Sequence, residues 1–442
     1  MKGLFSWATV VLLGFVSLFF IMKLFSYFQP KPSLPPSPMA LPVIGHFHLI
    51  GYRVHQSFHK LSAILRPLFH VMLGSVPFIV ASDAAAARDI LREHEKCFVD
   101  RKTAETITRT GSKEEARRFL GLLYEKAERR QEVDDGAALK RLSNNVICQM
   151  TMGRSCETDG EADQMMKIVE EAMAVMGTPN MADFQLRRRA DEVHCSFDNL
   201  MERILVGEEA ARKENSVKTA VAGAARSLLQ VLLDIPISEQ GSATDTASVT
   251  LEWALAELIN HSSILRDARR EIESVVGLSR LVEESDVPNL PLLHTIVKET
   301  LRLHSAFPII SRHSNAPCKI RGYSIPADSR VAINIWVVGR DPTHRDNLLE
   351  FQPEMFMVSG RSFGVDVKGQ HFHLLPFGTG RRMCPGMSLA LQLIHTTLAN
   401  VMQCFELSIV GGMAEMTEGH GASLPRAHRL VGTPKARIKF LP

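Results

Sequence analysis

Ten residues near the C-terminus hold the densest chemistry in this 442-residue chain: Phe377-Gly378-Thr379-Gly380-Arg381-Arg382-Met383-Cys384-Pro385-Gly386. One cysteine stands in a glycine-bracketed loop, with arginines two and three residues before it and an apolar helix predicted from Met387 onward. Gly380 and Gly386 let the backbone pass close under a flat macrocycle, where a Cβ would collide. Arg382 suits a carboxylate, because a guanidinium meets it in a two-pronged way. Pro385 withholds an N–H and stiffens the loop, while the following helix turns its positive end toward the sulfur. Such a set presents one thiolate as the axial ligand of a haem iron. Cys97, Cys148, Cys156, Cys195, Cys318 and Cys404 lack these surroundings and read as small buried hydrophobes.

Three other patches combine residue types that do chemistry. Ala243-Thr244-Asp245-Thr246 opens a helix whose apolar face carries Leu251, Ala254, Leu255 and Leu258. Thr244 or Asp245 would serve as an ordinary N-cap, and Asp245 with Thr246 would serve as a positioned proton-donor pair. In Lys298-Glu299-Thr300-Leu301-Arg302 the acid and the arginine share one helix face and can pair. Phe307-Pro308-Ile309-Ile310-Ser311-Arg312 ends on an arginine that by itself is a surface residue. His371 and His373 stand two apart, which on a strand puts both on one face; they read as structural, not metal-binding.

The cysteine loop matches Phe-x-x-Gly-x-Arg-x-Cys-x-Gly at every fixed position and resembles the haem-binding loop of the cytochrome P-450 superfamily. Leu251–Asn260, Gly369–Gly378 and Pro425–His428 resemble one plant subfamily. It holds flavone synthase II, flavanone 2-hydroxylase, 2-hydroxyisoflavanone synthase and the pterocarpan 6a-hydroxylase. The likeness covers nearly all of 243–442 and, more loosely, 30–100. It implies a mainly α fold with a small β region and a haem b cofactor. Cys384 is then the iron ligand, with Phe377, Gly380, Arg382, Gly386 and Arg312 in contact with the cofactor. Thr246 and Asp245 handle dioxygen and protons, and Glu299 and Arg302 form a buried pair beneath the haem. The implied reaction inserts one oxygen atom from O2 into a flavanone or related phenolic, a small hydrophobic substrate. An NADPH-dependent cytochrome reductase supplies the electrons, and the chain acts as a monomer.

Departures from that pattern are equally specific. Ala243 stands where the family carries a glycine. Met355, in Phe351-Gln352-Pro353-Glu354-Met355-Phe356, replaces an arginine that joins the Glu299–Arg302 pair. A partly satisfied buried network is costlier than a complete one, so this network is expected to be incomplete. Family members also carry a Trp-x-x-x-Arg pair that grips haem propionates, whereas the tryptophans here are Trp7, Trp253 and Trp336. The chain resembles a shortened copy, with joins after Lys102, near Phe184-Gln185 and before Gly241. The alternative to an active monooxygenase is therefore an impaired or inactive membrane-bound haem protein.

The elements that must position these residues are legible more coarsely. A hydrophobic share of 45% is ample for a core, and a net charge of +3 argues against nucleic acid. Seven cysteines without paired CxxC spacing suggest neither zinc nor a disulfide framework, which fits a reducing compartment. Leu4–Met22 is uncharged and just long enough to span a bilayer, and no small-residue cleavage site follows it. Lys23 and Lys31 after the span, against Lys2 before it, place the body on the cytosolic side. The expected order is a membrane anchor over 1–28, a proline-rich spacer over 29–45 and a catalytic domain over 46–442. The anchor would rest in the lipid of the endoplasmic reticulum as a single pass. Leu68–Ser82 reads as a β-hairpin, and Ser82 is expected to cap a helix running to about Glu95. Residues 113–133, 140–153 and 162–178 read as amphipathic helices, and 187–214 as a charged surface helix.

Overall fold

Apolar residues alternating on either side of Gly74 fold into the expected hairpin, β1 (Leu68–Leu73) against β2 (Val76–Ala81), with Val71 opposite Phe78. The computed structural model describes residues 34–438, apart from 42–43, 75, 99–111, 153–158, 178–187, 198, 201–240, 343–346, 407 and 410. The Leu4–Met22 span and the three inferred joins lie outside the described residues. Among the described residues no helix is long and apolar enough to cross a membrane.

Three segments from the second half of the chain complete the β region. They are β3 (Ile309–His313), the hairpin β4 (Cys318–Ile320) with β5 (Tyr323–Ile325), and β6 (Arg330–Asn334). β6 lies between β2 and β3, parallel to the first and antiparallel to the second, giving a four-stranded sheet. β3 thereby becomes an edge strand, and Arg312 sits on it.

After β2 the chain enters α2 (Ala84–Arg88), which follows α1 (Val54–Leu65) in sequence. Its cap is Asp83, not Ser82: the Asp83 carboxylate accepts the Ala86 N–H at 2.6 Å. A charged acceptor at the dipole's positive end outcompetes a hydroxyl. The helix also stops earlier than expected, passing into a wide turn over Asp89–Glu93 and a single 3-10 turn over Glu95–Cys97.

Apart from loops and two short ladders, Val133–Asp134 with Val431–Gly432 and Phe405–Glu406 with Lys435–Ala436, the main elements are helical: α3 (Ser112–Glu128), α4 (Asp135–Met152), α5 (Asp159–Gly177), α6 (Gly241–Asn260), α7 (Ser262–Val275), α8 (Pro291–Leu303) and α9 (Met387–Cys404). Residues 188–197 are helical too, within the span read as a surface helix, most of whose remainder lies outside the described residues. Leu251, Trp253, Ala254, Leu255, Ala256 and Leu258 are all buried, so α6 is enclosed on every side. It packs against α4, α8 and α9 and forms the axis of the main core.

α8 starts on Pro291, preset for a first helical turn. Its free N–H groups at Leu292 and Leu293 are taken by the Glu271 carboxylate of α7, at 2.8 and 3.1 Å. A neighbouring helix thus supplies the cap that its own Leu290 cannot. His371 and His373 lie at a turn instead of the expected strand, with the Leu374 N–H donating to the His371 carbonyl. No group of three metal-binding side chains occurs among the described residues.

Candidate functional site

The cysteine loop is held by its own backbone before any side chain acts. The Cys384 N–H donates to the Phe377 carbonyl at 2.9 Å, and a 3-10 turn covers Gly380–Arg382. Phe377 packs its ring against the main core, and the Thr379 hydroxyl donates to the Gly369 carbonyl at 2.6 Å. Gly380 sits at φ +69°, and a Cβ there would come within 2.5 Å of Glu95 Oε1. The left-handed backbone at 380 is what calls for glycine, since the Glu95 carboxylate is the end of a side chain that can shift. That carboxylate also accepts the Arg381 N–H at 2.6 Å. Glu95 was not singled out in the sequence; nothing but its place in the turn after α2 brings it here.

Cys384 is half-buried, two residues before the Gly386 N-cap of α9. Burial pushes its thiol up, and a hydrogen bond from the Gly386 N–H to the sulfur opposes that shift. A thiol in this setting ionises by binding a metal, which deprotonates a coordinating thiol outright. A Cβ on Gly386 would stand 3.9 Å from Cys384 Sγ, an ordinary van der Waals contact.

β3 borders the same loop. A Cβ on Gly378 would lie 3.8 Å from Ile310 Cδ1, and Arg312, two residues along the strand, falls on the same face as Ile310. Burial, and next the neighbouring Arg382 guanidinium, pull Arg312 down to about 10. Among the described residues, the hydrogen bond recorded for Arg312 runs to the carbonyl of adjacent Ser311, at 2.9 Å. Two guanidinium groups close to one another, one of them two residues before Cys384, with Glu95 as the nearby carboxylate, suit a ligand that brings further carboxylates. The sulfur donor and these two cations fit a haem with its propionates.

Glu299 and Arg302 form a buried bidentate pair on α8, Nε to Oε2 at 2.7 Å and Nη2 to Oε1 at 2.8 Å. The incomplete network expected from Met355 is not what surrounds Arg302. Its Nη1 donates to the Gly339 and Leu348 carbonyls, both at 3.0 Å, and Nη2 donates to the Glu350 carbonyl at 3.2 Å. All five guanidinium donors are used. Glu299 in turn accepts the Gln352 N–H at 3.0 Å. Backbone carbonyls and an amide, which carry no signature in the sequence, complete the pair.

Thr246 lies in α6, and its carbonyl accepts the Thr250 hydroxyl at 2.9 Å. Asp245 lies in the same helix, with its side chain outside the described residues. The helix begins at Gly241, so Thr244 and Asp245 are inside it and neither is the N-cap. α6 and α9 contribute to one core through Leu251, Leu255, Leu393 and Ile394, which fixes the Thr246 helix relative to the Cys384 helix.

The family model for cytochrome P450 matches residues 240–431. The chain is 38% identical to cytochrome P450 93A3 of Glycine max, over 93% of this chain and 94% of that protein. It is 37% identical to the 3,9-dihydroxypterocarpan 6A-monooxygenase of Glycine max, over 94% and 95%. It is 32% identical to the 2-hydroxyisoflavanone synthase of Glycyrrhiza uralensis, over 96% and 97%.

The chain belongs to the cytochrome P450 family. It is a P450 monooxygenase, and its cofactor is haem with thiolate-ligated iron, working with O2 and reductase-supplied electrons. The three alignments run over 484, 486 and 515 positions, more than the 442 residues of this P450, so each relative has stretches without a counterpart here.

Three of the expected buried cysteines turn out otherwise. Cys404 is buried, but Cys97 and Cys318 are half-exposed and Cys195 is exposed. The Cys148 and Cys156 side chains lie outside the described residues.

Proposed function

We propose that this P450 inserts one oxygen atom from O2 into a flavanone or related plant phenolic. An NADPH-dependent cytochrome reductase supplies the electrons, and the chain is held by its Leu4–Met22 segment in the endoplasmic reticulum membrane with the catalytic body toward the cytosol. The observation that carries this reading is the Cys384 loop, with Arg382 two residues before the sulfur and Arg312 of β3 brought beside Arg382. The bound haem supplies the activation of dioxygen for transfer of one oxygen atom. Cys384 holds the iron, and the Gly386 N–H steadies the sulfur's negative charge. Arg312 and Arg382 bind the propionates and set the cofactor's orientation. Thr246 positions a hydroxyl, and Asp245 passes protons. The enclosed α6 keeps bulk water from that path. The phenolic substrate class is supported by relatives named for pterocarpan and isoflavanone substrates.

A second reading, an impaired member of the family, is favoured by Ala243, by the lack of a Trp-x-x-x-Arg pair anywhere before Trp336–Arg340 and by alignments longer than the chain. We read the joins after Lys102, near Phe184-Gln185 and before Gly241 as the places where pocket wall has been lost. Membranes carrying the full-length chain, supplied with reductase, NADPH and a flavanone, separate the two readings. The first expects a product gaining one oxygen atom and a red-shifted band for reduced protein with carbon monoxide, both lost in Cys384→Ser. The band without product, with NADPH consumed into peroxide, supports the second. No band in either protein refutes Cys384 as the iron ligand.

A further inference from the structure

We propose that Cys97 and Cys318 are a redox pair that closes to an intramolecular disulfide on meeting hydroperoxide, clamping the Glu95 turn against the Cys384 loop. Cys97 ends the 3-10 turn Glu95–Cys97, and Cys318 opens β4. Although far apart in sequence, the two side chains pack at the edge of one apolar cluster, close enough for Cys97 to help raise the Cys318 thiol. Disulfide formation then needs the two sulfurs to close to about 2.05 Å.

The backbones that bear them are tied independently of the sulfurs. The Asn315 N–H donates to the Cys97 carbonyl at 2.9 Å. Arg321, at the tip of the β4–β5 hairpin, pairs with Asp83 at 3.0 Å and Asp89 at 2.9 Å on the α2 segment. The pair is therefore held in register before oxidation. Both cysteines are half-exposed at the edge of a smaller apolar cluster, within reach of a small oxidant.

The chemistry balances with hydrogen peroxide as the oxidant. The Cys97 sulfur, as thiolate, attacks one peroxide oxygen; the O–O bond breaks, leaving a sulfenic acid and one water after proton transfer. The Cys318 sulfur then attacks the sulfenic sulfur, an S–S bond forms, and the sulfenic hydroxyl leaves as a second water. Two thiols and one peroxide give one disulfide and two waters. Burial, and next the adjacent Cys97, push Cys318 up to about 11, so it keeps its proton and acts second.

The consequence reaches the haem-thiolate loop through Glu95. That carboxylate accepts the Arg381 N–H and occupies the place a Cβ on Gly380 would take. A bond at Cys97, two residues on, restrains this contact.

The test treats the full-length chain in membranes with hydrogen peroxide, blocks free thiols with N-ethylmaleimide and maps a digest without reduction by mass spectrometry. The expected product joins the Cys97 and Cys318 peptides with loss of two hydrogens and reverts with dithiothreitol. It is absent from Cys97→Ser and from Cys318→Ser. Before the full digest, the oxidised wild-type chain should be cut by trypsin after Arg381 several-fold more slowly than the reduced chain. Both thiols carrying maleimide after a dose that oxidises exposed Cys195 would overturn the pair. So would a bridge from either cysteine to Cys195 or to a second chain. Equal cleavage after Arg381 in the two redox states would overturn the clamp.

Discussion

Trp253 and His304 lie face to face, ring centroids 4.0 Å apart and planes 4° from parallel, and this stack joins α6 to the end of α8. The indole N–H donates to the Leu424 carbonyl at 2.8 Å, and His304 Nε2 lies 2.7 Å from Glu257 Oε1, back on α6. Burial holds the His304 ring below its ordinary value and hence neutral near pH 7, with the Glu257 hydrogen bond opposing. The helix bearing Thr246 and the helix bearing the Glu299–Arg302 pair are thus locked at one point.

Trp253→Ala should destabilise the fold by about 3–5 kcal/mol, the cost of emptying a fully buried aromatic site. Trp253→Phe keeps a ring against His304 and loses the bond to Leu424, so about 1–2 kcal/mol is expected. Urea unfolding followed by far-UV circular dichroism checks both, and similar losses for the two variants would deny the stack its role.

Met355→Arg should leave haem content nearly unchanged, because the five donors of Arg302 are already taken by Glu299 and by the carbonyls of Gly339, Leu348 and Glu350. Arg302→Met, in contrast, strands Glu299 without its cation and should cost about 3–5 kcal/mol. Haem per folded chain, read from the pyridine haemochrome, tests the pair; a large gain in Met355→Arg would mean that the carbonyls do not replace the absent arginine.

Glu418 gathers another buried knot under the sheet, accepting Trp336 Nε1 and Gln56 Nε2 at 2.7 Å and facing His55 Nε2 at 2.9 Å. Burial alone would raise this carboxyl, but the hydrogen bonds and the His55 charge win and hold it at about 2. A depressed carboxylate stabilises the fold above its unfolded value, and that contribution fades as pH falls from about 4.5 toward 2. Glu418→Gln should cost about 3 kcal/mol at pH 7. The gap to wild type should narrow in urea titrations at pH 3.

Asp135 works in the opposite sense. Burial, and next Asp134 and Glu252, raise it to about 7. Between about pH 4 and 7 the folded chain holds a proton that the unfolded chain has lost, so stability from this group falls as pH rises through that window. Asp135→Asn should match wild type below pH 4 and exceed it above pH 7, by at most about 4 kcal/mol. A variant with the same pH slope as wild type would place the titration elsewhere.

Local spacing was enough to read the Cys384 loop, the Glu299–Arg302 pair, the hairpin around Gly74 and the helix containing Asp245 and Thr246. Each is written within a few consecutive residues, where fixed types at fixed intervals leave one cheap conformation or one cheap contact. The tertiary structure decided what those residues meet. Arg312 and Arg382, 70 positions apart, share an electrostatic field because β6 inserts beside β3 and presents that edge to the loop. Glu95 reaches Gly380 because the helix after Asp83 ends in a wide turn. Arg302 is saturated by carbonyls, and every residue has one of those, so no substitution in the sequence marks which three will serve. Cys97 and Cys318 read as two unrelated small hydrophobes until folding packs both against one apolar cluster.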